Sequence, residues 1–321
     1  IFLSIFIIEI KYFFYTYLLL LFVTIIKNFN LIKLHTNYKD LVILLITIIL
    51  SLDLAYELIF GWDVQWFWYF KALNLYSDQI FLNLKTLPVS DYPHLGPYIW
   101  GFFWKFPFNN YEYLGRIAYI FFYIIAIFSF SETLKINNQL RLIFSLLIIL
   151  ATYKYDLLNG DRDILIFTFL LFASKFIFYL YDPVNKKNHL VIIILLLATS
   201  NVLFWLKHEA IFFIIFLILS IITFNQLINK KNKIILISSC IILLIIKFAI
   251  LEMINYPVID AGWYELEKTS SFTLSDFYHR STIVIFYIFA FSIQNPILIV
   301  TLPLMVYSII TIKNNTLNIT L

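Results

Sequence analysis

Charge is what this sequence has least of. Only 13% of its 321 residues are Asp, Glu, Lys or Arg, roughly half the share of an ordinary soluble protein. With 62% of residues hydrophobic and a mean hydropathy of +0.89, a soluble domain would lack the polar surface to cover its core. Glycine (six residues) and proline (eight) are scarce as well, which excludes collagen and low-complexity disorder. The one cysteine, Cys240, stands inside an apolar run, so there is no disulfide framework and no redox compartment to read. The net charge of +4 forms no basic stripe of the kind that nucleic acid requires. In a membrane protein such an excess records which loops face the cytoplasm. The enrichment in Ile, Phe, Tyr, Asn and Lys fits an AT-rich genome, so aromatic abundance alone carries no function. These absences leave one class, an integral membrane protein that crosses the bilayer many times.

Apolar runs long enough to cross, or nearly so, lie around 3–26, 41–60, 114–131, 142–155, 164–181, 190–206, 210–228, 234–251, 281–294 and 297–312; a spanning helix needs ~20 apolar residues. The expectation is an all-α transmembrane helical bundle of about nine to ten spans forming one domain over 1–321. Residue 1 is Ile and the first run has no small-residue cleavage site, so an earlier segment is expected and a cleavable signal peptide is not. Connections at 27–40, 132–141, 182–189 and 229–233 hold ten basic residues against three acids; those at 61–116, 154–163, 207–209 and 252–280 hold nine against thirteen. The first set is therefore cytoplasmic and the second external.

This sidedness demands an even number of crossings between the external stretches 61–91 and 154–163, yet three apolar runs lie between them. The run 93–107 is the one that fails to cross. It is about fifteen residues long and broken by Pro93, Gly96, Pro97 and Pro107, and unpaired backbone is not tolerated against lipid. Residues 61–113 then form one external loop with two interfacial helices, about 65–76 and 94–106, and 252–280 a second large external loop. Five of the seven tryptophans (Trp62, Trp66, Trp68, Trp100, Trp104) lie in the first loop, where an aromatic belt is their ordinary role.

The outer face gathers the candidate chemistry: Asp63, Lys71, Asp91, His94, Arg116, Asp156, Asp161, Arg162, Asp163, Lys207, His208, Glu209, His279 and Arg280. Charges at this depth are functional candidates by default. Each also has a structural alternative. Asp63 and Asp91 stand where a carboxylate caps a helix, and Asp161 and Asp163 where a helix dipole favours acids. A Lys207–Glu209 pair would neutralise itself, and Arg116 and Arg280 open spans, where snorkelling is usual. A guanidinium there also suits bidentate phosphate binding. His94 has no second His or Cys at ligand spacing. Lys175 and Lys247 lie within spans, each near enough to an end to snorkel.

In order and sidedness these features resemble the GT-C glycosyltransferases of prokaryotic type. The resemblance rests on Trp62-Asp63, the aromatic segment ending Phe70-Lys71-Ala72-Leu73, Asp91-Tyr92-Pro93, a span-opening Arg116, Tyr155-Asp156 with Asp161-Arg162-Asp163, and Trp205-Leu206-Lys207-His208-Glu209-Ala210. It runs from about residue 41 to 310. Departures are Val64, where a second acid is commoner, and Ala210 in place of glycine. The resemblance implies transfer of a sugar from a polyprenyl-phosphate donor to a lipid, glycan or protein acceptor, with inversion, on the outer face of a plasma membrane. It implies Asp63 as the base, and Lys71, Arg116, Lys207 and Arg280 become the candidates for the donor phosphate. Asp91, His94, Asp161, Asp163 and Glu209 fall on the acidic, acceptor side. No metal is required by these residues, although Asp63 with Asp161 or Asp163 could hold one divalent cation. A transporter or flippase of lipid-linked sugars is the alternative function, and an assembly subunit a third; neither needs charge clustered at one face.

Overall fold

The computed structural model describes residues 10–28, 38–56, 58–78, 87, 94–105, 111–134, 136–152, 158–182, 188–207, 210–223, 229–253 and 282. All but Thr282 belong to one compact unit, Ile1–Asp260. Among the described residues every regular element is helical: α1 (Ile10–Asn28), α2 (Tyr38–Tyr56), a π-helical turn (Val64–Trp68) running into α3 (Tyr69–Tyr76), α4 (Leu95–Trp104), α5 (Tyr113–Ser131), α6 (Asn138–Thr152), α7 (Asp163–Tyr181), α8 (His189–Leu206), α9 (Ala210–Thr223) and α10 (Lys230–Met253). Among the described residues four stretches, Tyr113–Ser131, Asp163–Leu180, His189–Leu206 and Lys230–Glu252, are long and apolar enough to cross a membrane. The chain thus has the make-up of an integral membrane protein. The runs expected at 281–294 and 297–312 lie outside the described residues, Thr282 apart.

Two apolar cores organise the unit. The first surrounds α5, whose Tyr119, Ile120, Tyr123, Ile124 and Ile127 meet Leu54 of α2, Trp68 and Ala72, Trp100 and Trp104 of α4, and Leu165 of α7. The second joins α7, α8, α9 and α10 through Ala173, Leu196, Leu203, Leu217, Leu236 and Cys240. By contrast α2 and α10 leave one face bare, with Leu45, Ile48, Leu52, Ile241, Ile242 and Ile245 exposed. Apolar side chains on the outside of an apolar helix are what a lipid-facing surface requires. The buried hydroxyls Thr168 and Ser200 bond the carbonyls four residues earlier, Ile164 and Leu196, so their polar groups are satisfied within their own helices.

The sequence expectation of two helices in the first loop agrees with the π turn–α3 segment and α4. At 1.5 Å per residue, ten-residue α4 measures about 15 Å, half a hydrocarbon core. The contacts fix which helix ends lie together. At one end Glu132 pairs with Lys39 (3.8 Å) and with Lys175 (3.2 Å), which also donates to Ser129 Oγ (2.6 Å). At the other end the 58–61 segment meets the 158–159 turn. Lys175 therefore does not simply snorkel: it is clasped between α5 and α7. Lys247 differs from expectation in the same way, since it is buried and donates to the Phe204 carbonyl near the end of α8 (2.7 Å).

The alternation of ends carries a prediction. With Cys240 replaced by serine, Ser77→Cys and Gln139→Cys, both at exposed positions, should fall on opposite sides of sealed vesicles. An impermeant maleimide should label one without permeabilisation and the other only after it. Labelling of both from one side would mean that an odd number of crossings does not separate them.

Candidate functional site

The end that carries the 58–61 segment is built around a buried cation. Arg116, in the first turn of α5 and only 1% exposed, donates from Nε to Glu112 Oε2 (3.2 Å) and from Nη2 to Glu112 Oε1. Its Nη1 donates to the carbonyls of Leu158 (3.0 Å) and Ile59 (3.3 Å). The guanidinium carbon lies 4.7 Å from the Phe60 ring centroid and 6.0 Å from that of Trp100. A planar cation of this kind stacks on aromatic faces while its edge donates. Trp100 itself is fully buried, its indole N–H on the Glu112 carbonyl (3.0 Å). Space for it exists because residue 115 is glycine: a Cβ there would overlap Trp100 Cδ1 and its carbonyl oxygen. Gly160, at φ +88°, packs against the same ring and Arg116 Cδ, and an L side chain rarely adopts that backbone.

A second buried cation extends the joint. Arg162, 4% exposed, stands 3.9 Å over the Trp68 ring and donates from Nη1 to the Leu206 carbonyl (3.4 Å). The first loop is thereby tied to the end of α8. Asn159 links the same parts: its carbonyl accepts from the Gly61 N–H (3.3 Å), and its Oδ1 from the Asp161 N–H (2.9 Å). Burial pushes the Asp161 carboxyl above the usual carboxylate range, and Asp163 adds like charge; Arg162 and the N–H groups of Asp163 and Arg162 pull the other way. Burial also raises the Glu112 carboxyl, against the pull of Arg116.

Beside this joint, Lys207 leaves α8 and pairs with Asp163 at the start of α7 (3.2 Å). The pair stands at the mouth of an apolar groove of about 350 Å³ lined by Ile166, Phe167 and Leu170 of α7, Leu203 of α8 and Phe213 of α9. Both charged groups keep access to solvent, Asp163 at 64% and Lys207 at 28% exposed.

The structure brings together elements that the sequence placed on one face, but assigns their side chains differently. Asp63 is exposed at the head of the π-helical turn and makes no cap bond, so the capping alternative does not describe it. Arg116, expected to grip a phosphate, has its fork already filled by Glu112. Lys71, expected to assist, is fully buried 5.1 Å from the Trp68 ring. Lys207 finds its partner in Asp163, while Glu209, Asp91 and Arg280 lie outside the described residues. His94 is buried at the head of α4. Among the described residues no three His, Cys, Asp or Glu side chains converge to hold a metal ion. Sequence inspection passed over Glu112 and Asn159. Glu112 had a signal, four residues before Arg116 at ion-pair spacing; Asn159 had none.

No protein-family model, no curated protein and no solved structure matches the chain.

The buried pair yields a stability prediction. Glu112→Ala strands the Arg116 guanidinium and should cost about 3–5 kcal/mol. The double variant Glu112→Ala, Arg116→Met should recover much of that loss, as read by thermal unfolding of detergent-purified protein. Equal losses in the single and double variants would mean that the stranded charge is not the source.

Proposed function

We propose that this protein is a membrane glycosyltransferase of GT-C type, moving a sugar from a polyprenyl phosphate to an acceptor hydroxyl at the outer face of a prokaryotic plasma membrane. The observation that carries this reading is the apolar groove between α7, α8 and α9 with Lys207 at its mouth, at the same end of the bundle as the exposed Asp63. The Arg162 bridge from Trp68 to the Leu206 carbonyl supports that common placement. A polyprenyl phosphate is an apolar chain ending in an anion, and the groove has the same polarity along its length. Excess basic residues in the connections at the Glu132 end make that end cytoplasmic and the Asp63 end external.

In this mechanism the acceptor oxygen attacks the anomeric carbon on the face opposite the phosphate, and its proton passes to the Asp63 carboxylate. The bond between the anomeric carbon and the phosphate oxygen breaks, and the electron pair leaves with the polyprenyl phosphate. The charge that grows on the leaving oxygen is met by Lys207, whose ammonium turns from Asp163 to the phosphate. Its exposure leaves that exchange open, whereas Arg116 would have to abandon four hydrogen bonds inside a core. Arg280 is the other candidate cation. A transporter gains no comparable support. Transporters hold polar side chains near the bilayer midplane, whereas Lys175 and Lys247 are both tied into helix ends.

Sugar transfer by purified protein in proteoliposomes, with a panel of radiolabelled polyprenyl-phosphate sugars, tests the reading. Asp63→Asn should fold normally and lose roughly two or more orders of magnitude in rate, the usual scale for a general base. Lys207→Gln should raise donor KM and lower kcat together, because its partner charge grows toward the transition state. Wild-type rates in both variants would leave the groove and the carboxylate without the roles given to them.

A further inference from the structure

The helix that begins beside Asp63 has two unlike faces. Val64, Trp68, Lys71, Ala72 and Leu75 are buried against α4 and the core. On the opposite side Trp62 (63%), Trp66 (55%) and Phe70 (44%) are exposed, spaced four residues apart and therefore in one row. The polar exposed neighbours in this segment are Asp63 itself and Gln65, and Gln65 turns its amide onto the Phe60 carbonyl (2.9 Å). The bare row does not stop at the helix. Along the chain Ile59, Leu58 and Tyr56, all exposed, connect it with α2, whose exposed face is apolar.

Water does not select such a surface. Three large aromatic side chains without a basic residue among them also make a poor match for an acidic protein or for a polyanionic glycan. Aromatic side chains at the end of a lipid-facing helix instead belong to the headgroup boundary, where an apolar ring meets a wet polar rim. Continuity with α2 names the occupant: the exposed apolar face of Leu45, Ile48 and Leu52 leads along the chain through Tyr56, Leu58 and Ile59 to Trp62, Trp66 and Phe70, and lipid is the solvent that such a face requires. Asp63 follows Trp62 directly and is itself exposed, so its carboxylate stands beside that same row.

We propose that the acceptor reaches Asp63 from within the bilayer, as the hydroxyl of a lipid-anchored headgroup rather than of a soluble glycan or a folded protein. This deepens the transferase reading and rests on it. Donor and acceptor would both be lipids, arriving at one end of the bundle by separate routes: the donor along the groove of α7, α8 and α9, the acceptor past the aromatic row. Lateral delivery within the membrane removes the need for a wide aqueous acceptor cleft. Asp63 needs only to stand at headgroup depth, where a hydroxyl and a carboxylate can meet within hydrogen-bond reach.

Two measurements test the proposal, and only the second depends on activity. In a Cys240→Ser background, nitroxide labels at positions 62, 66 and 70 are compared, in vesicles of phosphatidylethanolamine and phosphatidylglycerol, with labels at Ile48 and Gln139. Collisions with oxygen should exceed those with an aqueous nickel chelate at all three sites, giving depths between the two references. Values matching Gln139 would overturn the membrane seating. Shielding from both reagents would overturn it too, since a protein segment or a second copy would then cover the row. The second measurement uses membranes of the expression host and the same radiolabelled donors. Label should enter an organic-soluble fraction that survives mild acid, which cleaves the sugar from unreacted donor. Label in the protein or water-soluble fraction would overturn the acceptor class and leave the transferase standing. Donor cleavage that yields no glycosylated product in any fraction would overturn both, while the nitroxide depths would still decide the seating.

Discussion

A guanidinium placed out of contact with water is the condition on which the end of the bundle that carries the 58–61 segment depends. Taking such an ion out of water costs several kcal/mol even after the protein relaxes around it. Arg116 offsets that cost with a carboxylate from Glu112, carbonyls from Ile59 and Leu158, and two aromatic faces. Each partner comes from a different part of the chain: the turn before α5, the entry of the first loop and the turn before α7. A shift of any one of them costs the buried guanidinium at least one hydrogen bond. That interlock positions the 58–61 segment, and with it the helix on which Asp63 stands.

Around this joint the same economy of polar groups recurs. Arg162 fixes Trp68 to the end of α8, Lys247 takes the Phe204 carbonyl, and Glu132 holds Lys39 and Lys175 at the opposite end. In a bundle surrounded by apolar solvent the hydrophobic effect does little to choose among helix–helix contacts. Specific charged and hydrogen-bonded ties then decide which helices are neighbours. Small residues let them approach, as Gly115 does for Trp100 and Gly160 for both Trp100 and Arg116. The cations left over are the informative ones. Lys207 is 28% exposed, held by a single exposed carboxylate, and opens onto an apolar groove.

Much of the architecture was legible beforehand because a bilayer imposes simple rules. Runs read at 114–131, 164–181 and 190–206 correspond to helices Tyr113–Ser131, Asp163–Tyr181 and His189–Leu206. The short, proline-broken run 93–107 contains a helix of ten residues rather than a span-length one. The connections that the charge counts placed on one face do meet at one end, through Gly61 with Asn159 and Arg162 with Leu206. The chemistry of individual cations was much less legible. Arg116, Lys71 and Lys207 look alike in sequence, each a basic residue beside an apolar segment, yet two are internal and one is not.

By itself, then, the sequence determined membrane-like composition, helical class, the approximate positions of the longer helices and which connections carry the basic excess. All four follow from local hydrophobicity, length and net charge, which the chain carries wherever it folds. Tertiary structure alone decided which charges are consumed in holding the fold and which remain open to a ligand. The reason is range: the carbonyls that claim Arg116 lie 57 and 42 residues away along the chain, and the one that claims Arg162 lies 44 away. Backbone acceptors leave no mark in a sequence, because every residue has one. Only packing selects which carbonyl a buried cation will find.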